Sequence, residues 1–164
     1  MPWSKPLKME GTISMPTSIE ITPEMMREII MDHYSNPIHR GRPEGEGYLT
    51  THSSSVNCID DIDVYLKIEN KRVVSAYWEG TACAISTAST DIICDLLEGK
   101  GYDEALYLIE QYNHMLHEEP YDSSVLEEAL AFMNTSKQAA RIHCACIGWD
   151  AFRSLIEEEK EHGR

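Results

Sequence analysis

The sequence predicts an α+β fold, a small antiparallel β-sheet with helices packed on one face. Apolar and polar residues alternate strictly from Asp61 to Ile68, which is the pattern of a half-buried strand. Asn70 and Lys71 then form a tight turn, and alternation resumes from Arg72 to Glu79, which predicts an antiparallel hairpin. The remaining apolar residues recur at helical spacing, and strands followed by helices favour an α+β arrangement.

The helices are predicted from their caps and apolar faces. Thr22 and Pro23 are a good N-cap and first-turn pair, so a first helix is expected over residues 22–34. The segment from Asn36 to His52 carries three glycines and two prolines, which predicts a long irregular connection. Four further helices are expected: one ending at Gly99, one over residues 105–116, a shorter one over 122–133 and a last long one over 142–161.

Chain length and composition favour one compact domain. The chain has 164 residues and 42% apolar content, enough for a single core. Prolines and a glycine interrupt residues 1–20, which are therefore predicted to be a flexible N-terminal arm. Residues 21–164 remain as the predicted single domain.

The charge of the chain argues against two classes of partner. Fourteen Lys and Arg residues against 28 Asp and Glu residues give a formal net charge of −14. Such a surface repels phosphate backbones and anionic membranes, so neither nucleic acid nor a membrane is an expected partner. The sequence has no apolar run of spanning length and no signal-peptide pattern at its start, which predicts a cytoplasmic location.

The five cysteines direct attention to thiol chemistry. An odd number in an acidic chain without an export signal favours free thiols or metal ligands over a disulfide framework. Cys58 and Cys83 flank the predicted hairpin, whose two ends meet, so they are expected to be neighbours in space. Cys83 and Cys144 are each predicted at a helix N-terminus, where the helix dipole favours the thiolate.

Asp60 adds a carboxylate to these three thiols. Together they supply four ligands, the tetrahedral number for zinc, and three sulfurs with one oxygen also suit an iron–sulfur cluster with one exchangeable ligand. His143 is a further candidate ligand or proton acceptor. Spacing alone leaves inert buried cysteine open, because no Cys-x-x-Cys pair is present. Cys94 and Cys146 are expected to pack in the core.

Four blocks of the sequence resemble one known family. They are Ile29-Ile30-Met31-Asp32-His33-Tyr34-Ser35-Asn36-Pro37, Asn57-Cys58-Ile59-Asp60, Gly80-Thr81-Ala82-Cys83-Ala84-Ile85-Ser86 and Ala140-Arg141-Ile142-His143-Cys144. In this order and spacing they resemble the U-type iron–sulfur cluster assembly scaffolds, the IscU, SufU and NifU N-terminal-domain proteins. The separation of 61 positions from Cys83 to Cys144 resembles that of the SufU branch, which carries an insertion around residues 113–122.

The resemblance implies a fold, a site and partners. It implies a SufE/NifU-like fold and a site of Cys58, Asp60, Cys83 and Cys144 that holds zinc, as in the SufU branch, or builds a [2Fe–2S] cluster, as in the IscU branch. It also implies that a SufS- or IscS-like cysteine desulfurase supplies persulfide sulfur, with Cys58 and Cys144 as candidate acceptors, and that iron–sulfur apoproteins are the recipients. Such a protein is a scaffold or sulfur acceptor, and the SufU branch implies a zinc-dependent sulfurtransferase partner of its desulfurase.

Two departures from the family pattern concern the site. The family's Cys-Gly-Asp reads Cys58-Ile59-Asp60 here, so a flexible glycine is replaced by a β-branched residue. His143 matches the IscU branch rather than the SufU branch.

Two other functions compete with this prediction. The first is a structural-zinc interaction domain, in which the same four residues only hold the fold together. The second is a cysteine hydrolase or transferase that pairs His143 with Cys58 or Cys83.

Overall fold

The sheet has three antiparallel strands in the order β1-β2-β3. The structure is a computed structural model that describes residues 20–56 and 58–162. The predicted hairpin is confirmed as β2 (Asp61–Glu69) and β3 (Arg72–Thr81). Asn70 and Lys71 have φ values of 52° and 62°, as a two-residue type I′ turn requires.

The prediction of an irregular connection over residues 36–52 is wrong at its C-terminal end. Strand β1 (Leu49–Ser54) begins there and pairs antiparallel with β2. Near the start of the connection, His39 and Gly41 exchange backbone hydrogen bonds with Trp78 of β3. Both edges of the hairpin are therefore occupied, which fixes its position.

The helices lie close to the predicted ranges, with one difference in type. They are α1 (Pro23–Ser35), α2 (Ala84–Leu97), α3 (Tyr102–Leu116) and α4 (Ala139–Glu161). The segment predicted as a short helix over residues 122–133 forms two 3₁₀ segments instead, Ser123–Val125 and Glu127–Lys137. Among the described helices, none combines the length and apolarity that crossing a membrane requires. The predicted N-terminal arm lies outside the described residues, apart from Glu20.

Helices α2 and α4 pack on one face of the sheet, which confirms the predicted fold class. The aromatic centre of the core joins three helices. The rings of Tyr112 in α3 and Trp149 in α4 are stacked with centroids 3.6 Å apart. The Trp149 indole donates to the Ser89 carbonyl of α2 at 3.0 Å, and the Tyr112 hydroxyl donates to the Ala145 carbonyl at 2.8 Å. These contacts hold α4, which carries Cys144, against α2, which follows Cys83.

A buried histidine links α1 to the helices beneath it. The His33 side chain makes two hydrogen bonds, to Asp91 of α2 at 2.9 Å and to Glu128 at 2.7 Å. Asp91 is fully buried and also accepts from the backbone N–H groups of Ile38 and His39. Burial alone would lower the pKa of His33, but the two carboxylates outweigh it and raise the pKa to about 9.

We expect the variant His33→Gln to be less stable than the parent at pH 6.5, and the difference to shrink as pH rises. The folded-state pKa of about 9 lies above the ordinary value of 6.5, so the stabilisation is complete below pH 6.5 and is lost as pH rises through 9. The loss at low pH is about 2–3 kcal/mol. Urea unfolding between pH 6.5 and 9.5 measures it.

His117→Gln is the matched control, because the exposed His117 ring bonds only a carbonyl of its own helix, that of Asn113. A stability difference between His33→Gln and the parent that stays constant across this pH range would contradict the assignment.

Candidate metal centre

Asp60 and Cys83 meet at one end of the hairpin. Asp61, which opens β2, is paired with Thr81, which closes β3, so the residues just outside these strand ends are neighbours. The backbone N–H of Cys83 donates to Asp60 Oδ1 at 2.9 Å. The sequence predicted that Cys58 and Cys83 meet at this end of the hairpin, and their sulfur atoms do lie within 4.8 Å of each other.

Cys83 is the N-cap residue of α2. Its Sγ accepts from the backbone N–H of Ser86 at 3.4 Å, which uses one of the free N–H groups at the helix start. Its predicted place at a helix N-terminus is confirmed. A sulfur in this position faces the positive end of the helix dipole.

Asp60 is held by donors from the first turn of α2 and is 1% exposed. Besides the Cys83 amide, the hydroxyl of buried Ser86 donates to Asp60 Oδ2 at 2.5 Å. Burial would raise the pKa of Asp60, but these hydrogen bonds, with weaker ones from Cys144 and Cys83, lower it below its ordinary value. The carboxyl group is therefore an anion at neutral pH and points into the cluster of thiols.

Ser86 is the site residue that sequence reasoning missed. It lies in the third quoted block, and its place three residues after an N-cap candidate was the available signal. Its hydroxyl lies 3.2 Å from Cys83 Sγ as well as touching Asp60. Ser86 therefore orients two of the four candidate ligands at once.

Cys58 and Cys144 complete the group from two other segments. Cys58 lies in the connection from β1 to β2, which is closed by a hydrogen bond from the Ser55 N–H to the Asp60 carbonyl at 2.9 Å. Cys144 Sγ lies 3.7 Å from Cys58 Sγ. Cys58 is half-buried, whereas Cys144 is only 4% exposed. Solvent therefore reaches the group from the side of Cys58 and Cys83, and Cys144 forms its floor.

The prediction for Cys144 needs correction. Helix α4 begins at Ala139, so Cys144 is its sixth residue and lies past the free N–H groups of the first turn. Burial, followed by the neighbouring thiols of Cys58 and Cys83 and the Asp60 carboxylate, raises the pKa of Cys144 above its ordinary value. Without a cation this thiol is therefore hard to deprotonate, contrary to the expectation.

The four side chains have the chemistry of a zinc site. One donor atom from each of Cys58, Asp60, Cys83 and Cys144 lies within 4.8 Å of the other three. A tetrahedral zinc ion with Zn–S bonds of about 2.3 Å separates two sulfurs by about 3.8 Å, close to the 3.7 Å between Cys58 and Cys144. Three thiols and a buried anion around one point favour a bound cation, which would relieve the repulsion among them.

His143 is not part of this group. Its side chain is exposed, and the donor cluster found within residues 20–56 and 58–162 contains the other four residues alone. Within the described residues, Cys58 Sγ contacts Cys144 Sγ and Cys83 Sγ contacts the Ser86 hydroxyl, and neither sulfur is paired with His143. The geometry therefore does not support the hydrolase alternative. Cys94 and Cys146 are buried in the core as expected, at 0% and 6% exposure.

Comparison with known families matches residues 25–161 to the NifU-like N-terminal domain. The chain belongs to this family. The resemblance drawn from the four sequence blocks is thereby confirmed. This NifU-like chain is 31% identical to the zinc-dependent sulfurtransferase SufU of Bacillus subtilis, over 83% of its own length and 92% of the relative's. It is 26% identical to the iron–sulfur cluster assembly scaffold protein IscU of Thermotoga maritima, over 82% and 94% of the two chains.

Solved structures of NifU-like proteins share the fold. A putative iron–sulfur cluster assembly scaffold protein for the SUF system from Fervidobacterium islandicum superposes with a TM-score of 0.74 at 25% identity, covering 79% of this chain and 94% of that one. The N-terminal part of a nitrogen-fixing NifU-like protein from Brucella abortus gives a TM-score of 0.70 at 24% identity, covering 82% and 93%. The second likeness supports the fold alone.

Proposed function

We propose that this NifU-like protein works in iron–sulfur cluster assembly, accepting sulfur from a cysteine desulfurase and passing it on through the Cys58, Asp60, Cys83 and Cys144 site. The observation that carries the proposal is the convergence of these four side chains, from three separate segments, within 4.8 Å. Relatives named as a zinc-dependent sulfurtransferase and as cluster assembly scaffolds support it. Five free cysteines suit a reducing compartment such as the cytoplasm.

Cys58 is the favoured first acceptor of sulfur. Of the two candidates, Cys58 is half-buried and Cys144 is 4% exposed, so only Cys58 is open to a second protein. Its thiolate attacks the outer sulfur of the desulfurase persulfide, and a new S–S bond forms. The S–S bond of the donor breaks, and the desulfurase cysteine leaves as a thiolate with the electron pair. The outer sulfur becomes the persulfide of Cys58, with no net oxidation or reduction.

Zinc is the resident metal that these residues fit. Cys58, Cys83 and Cys144 would hold it through sulfur and Asp60 through oxygen. A bound zinc ion supplies positive charge that keeps cysteine thiols deprotonated and tunes their reactivity. Asp60 keeps its ligand oxygen in place through the Cys83 amide and the Ser86 hydroxyl.

A second role, as scaffold for a [2Fe–2S] cluster, has an observation in its favour. Asp60 supplies one hard oxygen among three sulfurs, a ligand set from which iron–sulfur cargo is readily released. Relatives from two further organisms carry the scaffold name. In this role the cluster is the product handed to iron–sulfur apoproteins.

Sulfur uptake from a desulfurase tests the proposal. The protein is incubated with a SufS-like cysteine desulfurase and radioactively sulfur-labelled cysteine, then separated without a reducing agent. We expect label on this chain that a thiol reducing agent removes. A chain that binds zinc and takes up no label would instead be the structural-zinc interaction domain.

We expect Asp60→Ala to bind zinc at least tenfold more weakly than the parent. The change removes one of four candidate ligands and leaves the Cys83 amide and the Ser86 hydroxyl without their acceptor. Competition with a chromophoric zinc chelator measures the affinity. Asp60→Asn, which retains a carbonyl acceptor but no charge, should fall between the two. Equal affinities for parent and Asp60→Ala would remove Asp60 from the site.

A further inference from the structure

Two exposed apolar side chains flank Cys58. Val56 is 96% exposed and Ile59 is 62% exposed, although both are β-branched residues that usually lose contact with water on folding. Ile59 occupies the position where the family pattern has glycine, so its side chain is a departure from that pattern. Isolated exposed apolar residues are ordinary, but these two lie in sequence on either side of Cys58, one of the two half-buried thiols of the site.

A fixed cation lies at the same end of the sheet. The Arg40 guanidinium donates to the Gly80 carbonyl at 2.6 Å and lies over the Trp78 ring, 4.8 Å from its centroid. Gly80 is paired with Ile62, close to the start of β2 and therefore to Asp60. Neither contact neutralises Arg40, so an exposed positive charge remains beside the site of a chain whose net charge is −14.

We propose that Val56, Ile59 and Arg40 form a docking surface, the Cys58 rim, for the cysteine desulfurase. The inference rests on the proposed function. An S–S bond is about 2 Å long, so the sulfur of the desulfurase persulfide must come into contact with Cys58 Sγ. In that position the desulfurase surface around its own cysteine covers the residues on both sides of Cys58. The matching desulfurase surface is therefore apolar opposite Val56 and Ile59, and acidic opposite Arg40.

The two parts of the rim contribute differently to binding. Covering Val56 and Ile59 removes apolar surface from water, which slows dissociation of the complex. Arg40 acts mainly through long-range attraction, which speeds association and weakens with salt. Because Arg40 is held by Gly80 and Trp78, little side-chain freedom is lost when it meets a carboxylate.

The double variant Val56→Ser/Ile59→Ser tests the apolar part. We expect its Kd for a SufS-like desulfurase, measured by biolayer interferometry, to rise about tenfold or more. Sulfur uptake at saturating desulfurase should reach the parent value, because Cys58 is unchanged. Zinc content is measured on each variant, so that a disturbed site is recognised. Arg40→Gln should raise Kd at low salt and flatten its dependence on salt concentration.

Val74→Ser is the matched control. Val74 is 45% exposed and lies seven positions before Thr81 on β3, about 23 Å from the site end at the usual rise of a strand. Its replacement should leave Kd unchanged.

The possible results distinguish the proposed docking surface from the proposed function on which it rests. If the parent takes up sulfur and the Val56→Ser/Ile59→Ser variant has the parental Kd, the docking surface is contradicted and the proposed function is not. An equal loss of affinity in Val74→Ser would also overturn it, as a non-specific effect. A parent that neither binds the desulfurase nor takes up sulfur would overturn both.

Discussion

Cys58→Ser abolishes sulfur uptake from a cysteine desulfurase. A serine hydroxyl cannot form the S–S bond that receives the transferred sulfur, and the other thiol proposed as an acceptor, Cys144, is only 4% exposed. We expect labelling to fall at least a hundredfold, because Cys83, the other half-buried thiol of the site, is engaged as the N-cap of α2 in hydrogen bonds with Ser86. Labelling with radioactive cysteine and peptide mapping by mass spectrometry measure the effect.

Cys146→Ser is the control for this experiment. Cys146 lies in α4 two residues after Cys144, but its Sγ faces Asn113 Oδ1 at 3.6 Å and it is outside the donor cluster. Burial, together with the Asp150 carboxylate, raises its pKa to about 12, so it is an inert thiol at neutral pH. Its replacement should leave labelling unchanged. Undiminished labelling of Cys58→Ser would show that another cysteine accepts the sulfur.

Gly80→Ala unfolds the protein or destabilises it by about 3 kcal/mol or more. Gly80 has a φ of +122°, which L side chains rarely adopt, and an added Cβ would overlap the Asp61 carbonyl oxygen and lie 2.9 Å from Ile62 Cα. These are backbone atoms of a paired strand, which cannot move aside separately. Because Asp61 follows Asp60, the displacement also reaches the metal centre, and zinc affinity should fall with stability.

Gly45→Ala separates backbone strain from this overlap. Gly45 also has a positive φ, +103°, but none of the described atoms lies within 4 Å of an added Cβ. We expect a loss of about 1 kcal/mol from strain alone. Urea unfolding of the three proteins measures both effects. Equal stabilities for Gly80→Ala and Gly45→Ala would show that the contact with Asp61 does not constrain the fold.

The hairpin and the candidate ligands could be predicted from the sequence because each corresponds to a clear local pattern. Alternation over β2 and β3, with a two-residue turn between them, predicted both their pairing and the approach of Cys83 to Cys58. Strand β1 has no such alternation of apolar and polar residues in its sequence. Its inward-facing residues are Leu49, Thr51 and Ser53, all half-buried, so its place depends on backbone pairing with β2 rather than on apolar alternation.

The depth of Cys144 could not be predicted for a different reason. Helix α4 starts at Ala139 after Gln138, without a side-chain cap, so no start signal marked its first turn. The role of Ser86 depends on the distance between β2 and α2, which local sequence does not encode. The rim around Cys58 likewise depends on exposure, and the sequence showed only that Ile59 departs from the family's glycine.

The proposed metal centre is tested most directly by the metal and acid-labile sulfide content of protein purified without oxygen and without added metal. We expect about one zinc per chain without sulfide, or iron with matching sulfide and a coloured spectrum if the chain carries a [2Fe–2S] cluster. Folded protein that contains neither zinc nor iron, and binds neither when they are supplied, would contradict a metal centre at Cys58, Asp60, Cys83 and Cys144.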